Sequence, residues 1–140
     1  MALLQPKKTK YKKYHKRLTS LTIKNYFKNE LNFGTFGLKA LEPGRISARQ
    51  IEATRKIIKK ITKRTGILSI NTFPQVPITA KPSETRMGKG KGAISYWASF
   101  VKKSSIILEL TGINKITAFK ALKMASNKLP IKTLIIYQLK

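Results

Sequence analysis

A chain of 140 residues with thirty Lys+Arg against five acids carries a formal charge of +25, a one-sided field that a polyanion relieves, nucleic acid first and an anionic membrane second. With no cysteine and one histidine, His15, a disulfide framework, a thiolate nucleophile and a zinc site are excluded. The scattered glutamates form no acid/base dyad, so no catalytic residue, metal or cofactor is expected, and no apolar run approaches the ~18 residues of a membrane span.

The first 29 residues hold nine Lys+Arg and no acid, interleaved with Tyr11, Tyr14 and His15, and show no helical or strand period. They read either as a solvated tail or as a nucleic-acid arm in which the aromatics stack on unpaired bases while the lysines track phosphates. Such a Lys-rich start imitates a transit peptide, although those favour Arg and Ser. The expected organisation is a basic arm over 1–32 and one core domain over 33–140.

In the segment FGTFGLKAL (33–41) the glycines among Phe and Leu predict a strand with bulges or close backbone approaches. Pro43-Gly44 turns the chain. Ser47 followed by Gln50 forms the pattern of a capping box, which predicts a helix starting there and ending at Gly66. On that helix Ile51, Ile57, Ile58 and Ile61 share one arc, and Arg49, Lys56, Lys59, Lys60 and Lys63 the other. Only Glu52 interrupts the cations, and a purely solvated face would mix signs, so contact with phosphates competes with solvation as the reading.

Residues 67–73 predict a strand, and Pro74, Pro77 and Pro82 an extended, loop-like stretch. The runs 94–101 and 106–110 look like the arms of a hairpin, with Tyr96, Trp97, Phe100 and Val101 supplying core bulk. A second helix is predicted over 115–128 with Ala118, Phe119, Leu122, Ala125 and Leu129 on one stripe, stopped by Pro130, and a last strand over 131–137.

Between them, within a loop over 80–93, stands RMGKGKG (86–92). Its alternating glycines permit positive φ and close backbone approach, and apart from Met87 its side chains are all cations. Neither GxxxxGK[ST] nor a GxGxxG opening a helix is present, which argues against a nucleotide loop. A flexible tip and an RNA-facing loop both remain.

Several of these segments together resemble one family, large ribosomal subunit protein sixteen, the L-sixteen family of bacteria and organelles. LQPK through HK at 4–16 is similar to its opening, FGTFGLKAL to its first core strand, GRISARQIEATR to the start of its main helix, KPSETRMGKGKGAISYW to its signature loop and KLPIKT to its last helix-to-strand junction. Residues 18–32 depart from the family, and Ser69 and Asn71 stand where it usually has tryptophan and arginine.

The resemblance implies a single compact α+β domain, a mixed antiparallel sheet with two helices of the hammerhead type. It implies a structural constituent of the large subunit that binds rRNA and lies beside neighbouring ribosomal proteins. Lys7, Lys8, Lys10, Lys12, Lys13 and Arg17 would carry the arm's rRNA contacts, and Arg49, Lys56, Lys59, Lys60 and Lys63 those of the helix. Arg86, Met87, Gly88, Lys89, Gly90, Lys91 and Gly92 would form a loop facing aminoacyl-tRNA and peptidyl-tRNA. No membrane partner or small-molecule substrate is implied. The Lys, Ile and Asn bias suggests an AT-rich genome and a mitochondrial, organelle-encoded ribosome, with plastid and bacterial cytoplasm as alternatives. A free-standing nucleic-acid compacting protein and an enzyme acting on nucleic acid are the readings from other classes.

Overall fold

Ser47 starts the main helix as its sequence context predicts. Its amide donates to Gln50 Oε1 (2.8 Å) and the Gln50 amide donates back to Ser47 Oγ (3.3 Å), so both arms of the capping box are formed. The computed structural model describes residues 4–15, 30–88 and 90–138. In it the chain runs β1 (Phe36–Ala40), β2 (Gly44–Ser47), α1 (Ala48–Ile61), β3 (Ile67–Ile70), β4 (Val76–Ala80), β5 (Ala93–Val101), β6 (Ile106–Thr111), α2 (Lys115–Ser126) and β7 (Thr133–Tyr137).

α1 stops before the predicted glycine. The Lys63 amide donates to the Lys60 carbonyl (3.3 Å) and the Arg64 amide to the Lys59 carbonyl (3.0 Å), the paired bonds of a Schellman ending. Lys63 (φ 48°) takes the left-handed position that glycine usually fills, and Gly66 belongs to the turn into β3.

All strand pairs are antiparallel, but the single sheet expected is two: a four-stranded sheet ordered β3-β6-β1-β7 and a three-stranded sheet ordered β2-β5-β4. β5 and β6 therefore lie in different sheets and form no hairpin. Their connector is tied instead to the end of β1, where the Ser104 amide donates to the Ala40 carbonyl (2.8 Å) and the Ala40 amide to the Ser105 carbonyl (2.9 Å). The proline-punctuated stretch is likewise no mere loop, because its centre is β4. Pro77, opposite Trp97, is tolerated there because β4 is an edge strand, with one side free of ladder bonds.

α1 bridges two apolar clusters. Ile58 joins Leu38, Leu108, Leu110, Leu122 and Ala125, while Ile51 joins Ala40, Ile46, Val101, Ile107 and Ile131, against which Leu4 and Leu129 pack. Ile57 and Ile61 are half-buried at the edges of this stripe. The result is an α+β fold in one compact domain, with two helices and antiparallel sheets.

β1 is shorter than its sequence pattern, because residues 33–35 turn onto β6. Glu109, 1% exposed, accepts from the Phe33 and Gly34 amides (both 2.7 Å) and from Asn71 Nδ2 (2.6 Å). Burial opposes its charge, but these donors, with the Asn32 amide, outweigh it and hold the carboxyl below the ordinary glutamate range. The bulge expected in this region falls between Leu38 and Lys39.

Candidate nucleic-acid interface

Three of the five glutamates are engaged by groups of the chain itself, which leaves the cations to set the surface field. Glu109 is buried, Glu42 Oε1 accepts from the Lys132 amide (2.8 Å), and Glu52 receives two bonds from Arg55 (2.7 and 2.8 Å). The Arg55 bond holds the Glu52 carboxyl below its ordinary range. Arg55 is thereby neutralised, while its neighbours on α1 are not.

On that helix Arg49, Lys56 and Lys60 are exposed. Lys59 is half-buried and its Nζ donates to the Gly66 carbonyl (3.3 Å), so it serves the turn after the helix. Lys63 lies beyond the last helical residue, in the Schellman turn, next to Arg64, an exposed cation outside the helical pattern. The predicted basic face is thus a stripe of three side chains continued by a basic turn.

Lys7, Lys8, Lys10, Lys12 and Lys13 are all exposed, as are Tyr11, Tyr14 and His15, and Lys10 Nζ lies 5.6 Å from the Tyr11 ring centroid. Arg17 lies outside the described residues, with all of 16–29. The arm crosses the glycine-rich loop: Lys13 Nζ donates to the Lys91 carbonyl (2.8 Å), and Lys91 Nζ donates to the Tyr14 carbonyl. Two segments far apart in sequence thus form one basic surface.

The loop itself has no core. Residues 81–88, 90 and 91 are exposed, and Met87 is 99% exposed. Lys89 lies outside the described residues. Gly88 (φ 95°) and Gly90 (φ 77°) favour glycine for their positive φ alone, because an added Cβ at either would meet nothing within 4 Å. Gly92, at the loop's exit, is different: a Cβ there would stand 2.3 Å from the Ala80 carbonyl oxygen. Lys81 Nζ donates to the Gly88 carbonyl (2.6 Å) and braces the base of the loop.

Tyr96 and Trp97, expected as core bulk, stand half-buried beside the start of α1. A cavity of about 610 Å³ is lined by residues that include Arg45, Arg49, Tyr96 and Trp97. The Arg45 guanidinium stands 5.8 Å from the Tyr96 ring centroid, and both aromatics are only half-buried. The alternation of Arg45 and Ser47 along β2 was the available signal that Arg45 faces outward. Among the described residues no cluster of His, Asp or Glu could hold a metal, and no helix is long and apolar enough to cross a membrane.

Comparison with known proteins adds a family. Residues 6–136 match the model of ribosomal protein L16p/L10e. The chain is 49% identical over 134 residues to the large ribosomal subunit protein uL16 of Cereibacter sphaeroides, covering 96% of each chain. It is 50% identical over 137 residues to that of Xanthobacter autotrophicus, 98% of each, and 50% identical over 131 residues to that of Allorhizobium ampelinum, 94% of each.

Proposed function

This chain belongs to the ribosomal protein L16p/L10e family, and we propose that its basic arm and helix face seat it on large-subunit rRNA. It is a structural constituent of the large ribosomal subunit, acting in translation and not as an enzyme. rRNA and neighbouring ribosomal proteins are the partners that this membership implies. The finer reading is that the arm and loop together form an RNA-facing edge, with 86–92 presented near the aminoacyl-tRNA site.

The observation that carries this reading is the crossing of Lys13 and Tyr14 with Lys91. It gathers exposed cations of arm and loop on one edge, at a loop with positive-φ glycines. A polyanion supplies what that edge lacks. The Lys-rich composition and abundant Ile and Asn favour a mitochondrial ribosome, while the relatives named above are bacterial and fit a bacterial cytoplasm equally.

The test is sedimentation and salt titration. The protein should stay with large subunits through a high-salt wash that strips adventitious binders. Its affinity for rRNA fragments should fall with salt at a log-log slope of about −0.7 to −0.9 per phosphate neutralised. Replacing Arg49, Lys56 and Lys60 with Gln should reduce that slope by roughly two to three units. An unchanged slope would mean that the helix face is merely solvated.

A further inference from the structure

We propose that the cavity beside the start of α1 is a pocket for one unpaired nucleotide of single-stranded RNA, its phosphate on Arg45 and Arg49 and its base against Trp97. This rests on the rRNA-binding reading and deepens it by naming where and how a base is held. The cavity's volume of about 610 Å³ falls within the roughly 300–1,000 Å³ typical of small-ligand sites.

Its chemistry is divided as a nucleotide's is. Arg45 and Arg49 are exposed, and among the described residues neither has a carboxylate partner; no acid lines the cavity. The chain holds six arginines among its thirty Lys+Arg, and two of the six stand here. A guanidinium offers a planar fork for phosphate and a flat face for stacking, which an ammonium does not. Arg45 already lies over Tyr96, so its charge is held at the wall and its unfilled donors can meet an anion.

Trp97 and the aliphatic Leu4 and Ile94 give the rest of the lining its apolar character. Stacking on an aromatic face is the sequence-tolerant way to hold a base, and it requires that the base be unpaired. Gln5 and Ser95 also line the cavity and their side chains make no hydrogen bond among the described residues, leaving donors and acceptors for base edges. Within the first turn of α1 the Gln50 amide is not available to an anion, because it already donates to Ser47 Oγ.

Trp97 is the chain's sole tryptophan, so its fluorescence reports on this cavity directly. A short single-stranded oligoadenylate should quench it saturably, whereas the same strand annealed to its complement, inorganic phosphate and polyglutamate should not. R45Q/R49Q should weaken the single-strand binding by roughly tenfold or more, with an unchanged circular dichroism spectrum. The equal charge loss K120Q/K123Q, on the exposed face of α2, should weaken it far less.

Equal losses in the two double variants would overturn the pocket. So would quenching by duplex, phosphate or polyglutamate as strong as by the single strand, since the site would then be a bare anion site or a seat for an acidic peptide. Filter binding of an rRNA fragment, run in parallel, separates the two levels of the reading. Retained rRNA with no quenching overturns the pocket alone, and failure to retain rRNA overturns the underlying rRNA-binding reading and the pocket with it.

Discussion

An added Cβ at Gly34 would come 2.8 Å from the Leu110 carbonyl oxygen, whereas at Gly88 it would meet nothing within 4 Å. The first glycine is dictated by neighbours and the second by its own backbone angle. Around Gly34 the chain is fixed: Leu31 is buried, and Glu109 binds the Phe33 and Gly34 amides. Around Gly88 it is braced by polar contacts, from Lys81 and from the arm. The packed region supplies the stability, and the cationic edge exposes polar surface that stability does not need. Substitutions ordered by their expected effect on the fold test that division.

The largest effect belongs to the core that both regions depend on. Ile58→Ala should cost about 2–5 kcal/mol, because it removes a fully buried side chain and leaves a cavity. Lys59→Ala, one residue along, should cost far less, losing one part-buried bond to Gly66. Chemical denaturation of both variants measures the difference, and similar losses would put the core on the wrong side of α1.

Glu109→Gln should cost roughly 1–3 kcal/mol near neutral pH, since an amide nitrogen replaces one acceptor and leaves a buried donor unpaired. The pH dependence identifies the cause. Because the folded-state carboxyl titrates below the ordinary value of 4.5, its stabilisation is fully present above that value. It is lost as pH falls through the lower, folded-state value. The Gln variant should lack that part of the acid limb, and an unaltered limb would show that Glu109 is not held ionised by the amides around it.

Gly34→Ala should follow at about 1–3 kcal/mol, the usual cost of forcing a group against fixed backbone. Gly88→Ala should cost about 1–2 kcal/mol, all of it from its positive φ and none from a clash. Thermal melting of both decides whether the contrast between the two glycines is as large as their surroundings imply.

The sequence showed this division unevenly, for physical reasons. The start of α1 was readable because a capping box is local: Ser47 and Gln50 carry both bonds themselves. Its end was not, because Lys63 takes a left-handed turn that residue type alone assigns to Gly66. β5 and β6 looked like a hairpin because strand periodicity does not reveal which sheet a strand joins, and here the bonds to Ala40 decided it. Pro77 hid β4 because proline excludes only central strands. The loop's glycines and cations were legible as a motif, while its crossing with the arm is a long-range contact with no pattern along the chain. Tyr96 and Trp97 were read as core bulk because bulky aromatics in a strand usually are, and only the position of β5 beside α1 gave them a cavity to line.

The smallest effect on the fold should come from replacing Arg86, Lys89 and Lys91 with Ala, since Arg86 and Lys91 are exposed and only three of thirty cationic side chains are removed. Incorporation into large subunits should stay nearly normal. Aminoacyl-tRNA affinity and peptide-bond yield should fall instead, measured on subunits reconstituted at matched occupancy. Each lost charge-assisted contact is worth roughly 1.5–3 kcal/mol where water is excluded and less where salt screens it. Lys91 also donates to the Tyr14 carbonyl, so the triple variant loosens the arm as well as the loop. Lys13→Ala separates these effects, since it breaks only the opposite bond, to the Lys91 carbonyl, and leaves the loop's charges in place. A defect confined to the triple variant assigns the tRNA contact to the loop's cations, and one reproduced by Lys13→Ala makes the arm's grip on the loop the requirement. Normal tRNA binding by fully occupied triple-mutant subunits would sink the tRNA-facing role and leave a protein that only holds rRNA.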